Sequence, residues 1–267
     1  MVAGGLTWVA RFHCAYKVEK GYILFARMKV TVIIPAAGLG TRMSAGGARK
    51  PASTKQFAEL HGVPILVRTL LSFAEEQEIN EIRVALRKTE IAPFRERIER
   101  ETPQILRRKI VLLEGGETRQ QSVANGLAGT TAAADDIVLV HDAVRPFVTG
   151  TMIREVVEAA RKYGAAIVGV PAVDTVKQVE RTAEGAIIKA TIPREKIVMA
   201  QTPQGFRYAV LKKAFDEATA DGFTGTDEAS LVERSGHPVA VVMGSPRNIK
   251  ITTPADLELA EFYSQAR

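Results

Sequence analysis

The chain is nearly without cysteine: Cys14 is the single thiol in 267 residues. One thiol excludes an internal disulfide, and no Cys/His cluster offers the spacing of a zinc site. That usage suits a reducing cytoplasm, where the chain is expected to reside. Aromatic residues make up only 6%. Basic residues do not alternate with them, so a stacking surface for single-stranded nucleic acid is disfavoured. No apolar run reaches the length of a membrane span. The first residues hold no compact apolar core followed by a small-residue cleavage site, so no signal peptide is read there. Two phosphate-binding fingerprints are missing as well. Gly-Lys-Ser and Gly-Lys-Thr occur nowhere, which excludes the P-loop. The dinucleotide pattern needs a third glycine after Gly38 and Gly40, and that place holds Met43.

What is present centres on residues 30–55. Val30–Ile34 is an uninterrupted apolar, β-branched run apart from its threonine, the pattern of a strand buried on both faces. Pro35 has no N–H for a central ladder and closes it. Ala36, Ala37, Gly38 and Gly40 follow, then Arg42 and, further on, Lys55. Small residues let backbone N–H groups approach a ligand, and successive N–H groups on such a turn form an anion-binding concavity. With two cations added, the stretch points to a polyphosphate. Hydrophobic content of 46% is ample for a core, and the net charge of +6 suits an anionic ligand without choosing between nucleic acid and a small phosphate.

The rest of the chain alternates strand and helix. Strands are expected at Ile79–Leu86, Ile110–Leu113, Ile137–Val140, Ala165–Val170 and Val239–Met243. Helices are expected from Pro64, over Glu90–Glu101, Thr151–Tyr163 and Tyr208–Thr219, after Thr226 or Asp227, and after Thr253-Pro254. Such alternation indicates βαβ units and a mainly parallel sheet. Ligands of open α/β sheets bind at the carboxyl ends of strands. The second glycine turn, Gly115-Gly116 followed by Arg119 and Ser122, should therefore face the same crevice as the first. Arg119 and Ser122 could hydrogen-bond a base or a phosphate. The plainer reading of this turn is helix capping by Thr118.

A strand ending in His141-Asp142 places a carboxylate at the crevice. Beside a polyphosphate, the role for Asp142 is to organise Mg²⁺, which takes a carboxylate together with phosphate oxygens. His141 reads as packed under the strand end. Arg145, three residues on, could hold a second anion. Residues 171–202 lack a covering helix and read as a β-hairpin turning at Glu184-Gly185. Another subunit is the simplest cover for its apolar side; packing back on its own domain is the alternative. Residues 1–28 have no clear period. They are expected to be a dispensable extension, with Met28 a workable start before one domain at 29–267.

Taken in order, these motifs resemble the 2-C-methyl-D-erythritol 4-phosphate cytidylyltransferase family of the non-mevalonate isoprenoid pathway. The matching segments are Pro35–Arg42, Lys55-Gln56, Gly115-Gly116 with Arg119 and Ser122, His141–Pro146, Asp174–Lys177, Gln201–Gln204, Thr226–Ser230 and Asn248–Thr252. The resemblance implies a Rossmann-like, three-layer α/β fold of nucleotidyltransferase type. Its mostly parallel sheet carries a projecting β-hairpin arm at about residues 171–202. The resemblance also implies CTP and a sugar-alcohol phosphate as substrates, Mg²⁺, and a homodimer joined through the arms, with no nucleic-acid or membrane partner. It assigns Arg42, Lys55 and Lys250 to catalysis. Ala36, Ala37, Gly38, Gly40, Gly116, Arg119 and Ser122 go to the nucleotide. Asp142, Arg145 and Thr175 go to the second substrate, with Arg194 and Thr202 reaching it across the dimer. The loop 43–54 looks longer than the family usually has, and Thr54 stands where Pro commonly precedes Lys-Gln. Lys50 therefore competes for the role of Lys55. A ribitol 5-phosphate cytidylyltransferase, a nicotinamide-dependent oxidoreductase and a non-enzymatic nucleotide-binding module are the alternatives.

Overall fold

A computed structural model describes residues 28–38 and 55–265, together with the backbone of Val18–Glu19 and Tyr22–Ile23. The first strand of the main sheet, β1, is Val30–Pro35. Its run is unbroken because both faces are covered. Val30, Val32 and Ile34 pack into one core and Ile33 into the other. The sheet is completed by β2 (Glu81–Leu86), β3 (Ile110–Glu114), β4 (Ile137–Val140), β5 (Ala165–Pro171), β8 (Val198–Arg207) and β9 (Ala240–Met243). Between β5 and β8 lie β6 (Val176–Thr182) and β7 (Gly185–Ile192). The seven main strands run in the order β9-β5-β8-β4-β1-β2-β3. Neighbours are parallel except β8, which is antiparallel to both β4 and β5.

Helices cover both faces. On one side α1 (Ile65–Ala74), α2 (Lys88–Glu101) and α5 (Gly150–Tyr163) bury Leu70, Phe94 and Val156 among their apolar residues. On the other, α4 (Arg119–Ala128), α6 (Tyr208–Ala220) and α7 (Glu228–Arg234) bury Val123, Leu211 and Leu231. Between α2 and α4 lies the short α3 (Gln104–Arg107), and α8 (Pro254–Gln265) packs Ala260 with Val144, Phe147 and Ile251 near one end of the sheet. The stop of α5 is chemical. Gly164 takes φ 86°, a left-handed conformation that a side chain disfavours, while its N–H bonds to the Ala160 carbonyl. This is the expected three-layer α/β architecture. No helix among the described residues is long and apolar enough to cross a membrane.

Two expectations change. Pro64 is not the first helical residue; it sits extended at ψ 142° just before Ile65. The larger change concerns residues 171–202. The hairpin proper is β6 and β7 alone, pairing as its own two-stranded sheet. Pro171 ends β5, while Val198–Thr202 already belongs to β8 in the main sheet. Pro203 hides this strand from the sequence, because proline removes a ladder donor and argues against a central strand. β8 accommodates it at an irregularity: pairing with β5 shifts register between Ala200 and Gln204, and the Thr202–Pro203 peptide is cis.

Candidate active site

β1, β2, β3 and β4 are mutually parallel, so their carboxyl ends lie along one edge of the sheet. β1 delivers Ala36, Ala37 and Gly38 there, β3 delivers Gly115-Gly116, and β4 delivers His141-Asp142. The two small-residue turns touch. A Cβ on Gly115 would lie 2.6 Å from that of Ala37, closer than side chains tolerate. The first turn is braced from below. Gln56, 2% exposed, donates to the Ala36 carbonyl at 2.7 Å, and Arg87 donates to the Ala37 carbonyl at 3.2 Å.

At the second turn the capping reading holds. Thr118 caps α4 in a reciprocal box with Gln121, while Ser122 accepts from the Gly116 N–H at 3.1 Å and fixes the turn. Arg119 projects from the same helix start. The outcome is a crevice of about 200 Å³ whose walls include Ala36, Ala37, Gly38, Gly116, Arg119, Ser122, Asp142 and Lys250. Ligand pockets commonly reach ~300–1,000 Å³. Residues 39–54, continuing the chain from Gly38, lie outside the described residues. Gly40, Arg42 and Lys50 fall in that span. Lys55 opens a one-turn 3₁₀ helix, Lys55–Phe57, of which only the backbone is described at that residue.

Asp142 is the charge centre. It is buried, at 7% exposure, and three cations surround its carboxylate. Lys250 Nζ stands 2.9 Å from Oδ2, Arg145 Nε 3.2 Å from Oδ2, and Arg119 Nε 3.4 Å from Oδ1. Burial alone would raise its pKa, but Lys250 first, then Arg119 and Arg145, hold it well below the usual carboxylate range. Thr202 on β8 accepts from the Asp142 N–H at 3.1 Å and meets His141 Nδ1 at 3.0 Å. His141 is fully buried. Its other ring nitrogen lies 3.1 Å from the Arg145 carbonyl, and it packs edge-on against Phe73. Burial pushes the imidazole down to about 4, so it stays neutral and structural under the strand end.

The crevice gathers eight of the residues expected there, and its immediate support includes two more. Arg145 lies behind Asp142 and donates to the Asn248 carbonyl at 2.7 Å. Thr202, expected to reach a substrate across a dimer, is 4% exposed and engaged within its own chain. Thr175 and Arg194 are not brought to the crevice: Thr175 is exposed between β5 and β6, and Arg194 donates to the Val173 carbonyl at 2.8 Å. Sequence reasoning quoted Gln56, Gln204, Glu228 and Asn248 only as parts of motifs. All four are buried, between 0% and 2% exposed. The available signal was the presence of uncharged or acidic polar residues beside motif positions with assigned roles.

A Mg²⁺ site can be tested against this donor set. Among the described residues no group of three or more His, Cys, Asp or Glu side chains could hold a metal ion. Mg²⁺ bound through substrate phosphates needs only one or two carboxylates, because it keeps several waters. The single Asp142 fits that mode, provided phosphate oxygens take over some of the cations now on it.

The family model for 2-C-methyl-D-erythritol 4-phosphate cytidylyltransferase matches residues 30–266. A protein of that name from Acidobacterium capsulatum is 58% identical over 241 residues, covering 90% of this chain and 99% of the relative. One from Solibacter usitatus is 51% identical, covering 88% and 96%. Among solved structures, the Thermus thermophilus enzyme of the same name superposes with a TM-score of 0.67 at 37% identity, covering 89% of this chain and 100% of that one. The Francisella tularensis counterpart gives 0.71 at 37% identity, covering 88% and 99%.

Proposed function

We propose, from the premise that the chain belongs to the 2-C-methyl-D-erythritol 4-phosphate cytidylyltransferase family, that it joins CTP to 2-C-methyl-D-erythritol 4-phosphate. A phosphate oxygen of the methylerythritol phosphate attacks the α-phosphorus of CTP. The new P–O bond forms as the bond to the β-phosphate bridge breaks, and pyrophosphate leaves with the electron pair. The products are pyrophosphate and 4-diphosphocytidyl-2-C-methyl-D-erythritol. The attacking phosphate is already ionised, so no covalent enzyme intermediate is needed. What opposes reaction is repulsion between two anions and the charge on the leaving group.

The observation carrying this reading is the meeting of both small-residue turns, Asp142 and Lys250 in one crevice. The backbone of Ala36–Gly38, with Gly40, Gly116 and Ser122, receives the nucleotide, and Arg119 meets its base or a phosphate. Lys250 stands at the α-phosphate, with Arg42 and Lys55 at the triphosphate, where fixed cations stabilise charge that grows in the transition state. Asp142 would hold Mg²⁺ together with phosphate oxygens. When bound, the ion neutralises the triphosphate and aligns it. Arg145, behind Asp142, supplies positive charge toward the second phosphate. Thr202 serves that substrate by fixing Asp142 from within its own chain. Thr175 and Arg194 flank the hairpin on either side, and a second copy of the chain would bring them to a crevice.

The homodimer reading is supported by the arm itself, whose Ile187 and Ile188 are 57% and 59% exposed. The test is CTP with 2-C-methyl-D-erythritol 4-phosphate or ribitol 5-phosphate, in the presence and absence of Mg²⁺, with pyrophosphate release followed. Magnesium-dependent release with the first acceptor and little with the second is the expected result. Release only with ribitol 5-phosphate would reassign the substrate, and none with either would refute the activity.

A further inference from the structure

Glu228 is a buried acid with no assigned role. It is 1% exposed, and its Oε1 accepts from Arg119 Nη1 at 2.7 Å. Its Oε2 has no hydrogen-bond partner among the described residues. A buried carboxylate left half satisfied is costly to desolvate, so its ion pair with Arg119 adds little net stability. Its retention here calls for a job outside stability.

Its placement is tightly determined. Asp227 caps α7, accepting from the Ser230 N–H at 2.9 Å. Gln204 on β8 then clamps the residues on both sides of Glu228. Its Nε2 donates to Asp227 Oδ2 at 2.7 Å, and its Oε1 accepts from the Ala229 N–H at 3.0 Å. A side chain fixed on either flank has little freedom to follow a moving partner. Arg119 therefore meets two unequal carboxylates: a close, immobile one at 2.7 Å and a longer contact to Asp142 at 3.4 Å. No third carboxylate among the described residues pairs with it.

We propose that Glu228 is the positioning residue for Arg119, holding its guanidinium at the crevice wall and away from full pairing with Asp142. Asp142 is thereby left to Lys250 and to the charge an incoming nucleotide brings. Without Glu228, the guanidinium fork closes on Asp142, since planar bidentate pairing with a carboxylate is its preferred geometry. The crevice then loses both a donor and an available carboxylate. The inference rests on the nucleotide reading of this crevice, but its first test does not need a nucleotide.

In the nucleotide-free protein, the Arg119 guanidinium NMR signals, assigned by their loss in Arg119→Lys, should show slowed rotation. In Glu228→Gln, which keeps the shape and removes the charge, those signals should shift in frequency and stay slowed as the fork pairs with Asp142, while circular dichroism shows the fold retained. Calorimetry with CTP and Mg²⁺ forms the second arm. Glu228→Gln should weaken CTP binding about tenfold, and the Arg119→Ala, Glu228→Gln double variant should bind no more weakly than Arg119→Ala alone. Gln204→Ala, which frees both flanks, should weaken binding severalfold by the same route. Unchanged Arg119 signals in Glu228→Gln, or losses that multiply in the double variant, would overturn the proposal. Absence of CTP binding in the unaltered protein would overturn the nucleotide reading, leaving the spectroscopic arm to decide on Glu228.

Discussion

The crevice rim and the hairpin arm are built from similar-looking alternating or apolar segments, yet they end in opposite states. At the rim, Val140, Ile34 and Ala36 are buried by neighbouring strands and helices of the same chain. On the arm, Val179, Ile187 and Ile188 are between 44% and 59% exposed, and among the described residues β6 pairs only with β7. Fully burying such a side chain gains about 1.5–3 kcal/mol. The rim collects that gain inside one chain, whereas the arm leaves much of it uncollected, and a lone two-stranded hairpin is marginal in water. The lesson is that a pattern fit for burial does not say who supplies the cover. The rim is covered by its own chain, and the arm's apolar side chains are left exposed.

The sharpest way to test that contrast is to strike each region separately. Lys55→Ala or Arg42→Ala is expected to lower turnover roughly a hundredfold or more, by comparison with removal of one preorganised donor in other enzymes. The fold and the oligomeric state should be untouched, which steady-state kinetics with sizing chromatography checks. Wild-type rate in Lys55→Ala would transfer attention to Lys50. Replacing 176–192 by a short turn should do the reverse. The chain should become monomeric and lose at least about tenfold in activity, on the reasoning that the second-substrate site needs the partner's arm. Its core should still melt cooperatively, as calorimetry would register.

A smaller effect concerns the rim alone. His141 has its pKa lowered from 6.5 to about 4 by burial, so the unfolded chain takes up a proton that the folded chain does not. Stability from this group is fully present above pH 6.5 and is lost as pH falls through that window to about 4. The loss should approach ~3 kcal/mol, and denaturant unfolding of His141→Gln should show it much reduced. Asp142 acts lower down. Its depressed pKa makes its contribution disappear only as pH falls below the usual carboxylate range. The smallest expected effect is none: a chain beginning at Met28 should fold and turn over like the full one. A truncated chain that fails to do either would show that residues 1–27 take part.

Much of the site was legible in the residues. Pro35-Ala-Ala-Gly and Gly115-Gly116 announce close backbone approach, and parallel strands oblige both turns to share an edge. Asp142 was legible because an apolar strand ending in an acid has few other reasons to stop there. β8 was not, because Pro203 contradicts the local rule for a central strand and only a register shift against β5 absorbs it. The resemblance puts Thr202 across a dimer. Once β8 runs antiparallel beside β4, its hydroxyl falls on Asp142 and His141 of its own chain. Glu228 and Gln204 carried no local signal beyond their place inside a motif, since their partners stand 109 and 23 residues away.

Sequence alone determined the alternation of strands and helices outside β8, the double-sided burial of β1, and the two small-residue turns. Those follow from side-chain periodicity and backbone sterics, which act over a few residues. Only the tertiary structure decided that three cations converge on Asp142, that Arg119 answers to Glu228 as well, and that the arm stands uncovered. Pairing of charges and the covering of apolar surface depend on distances between segments remote in the chain, and no local pattern encodes those.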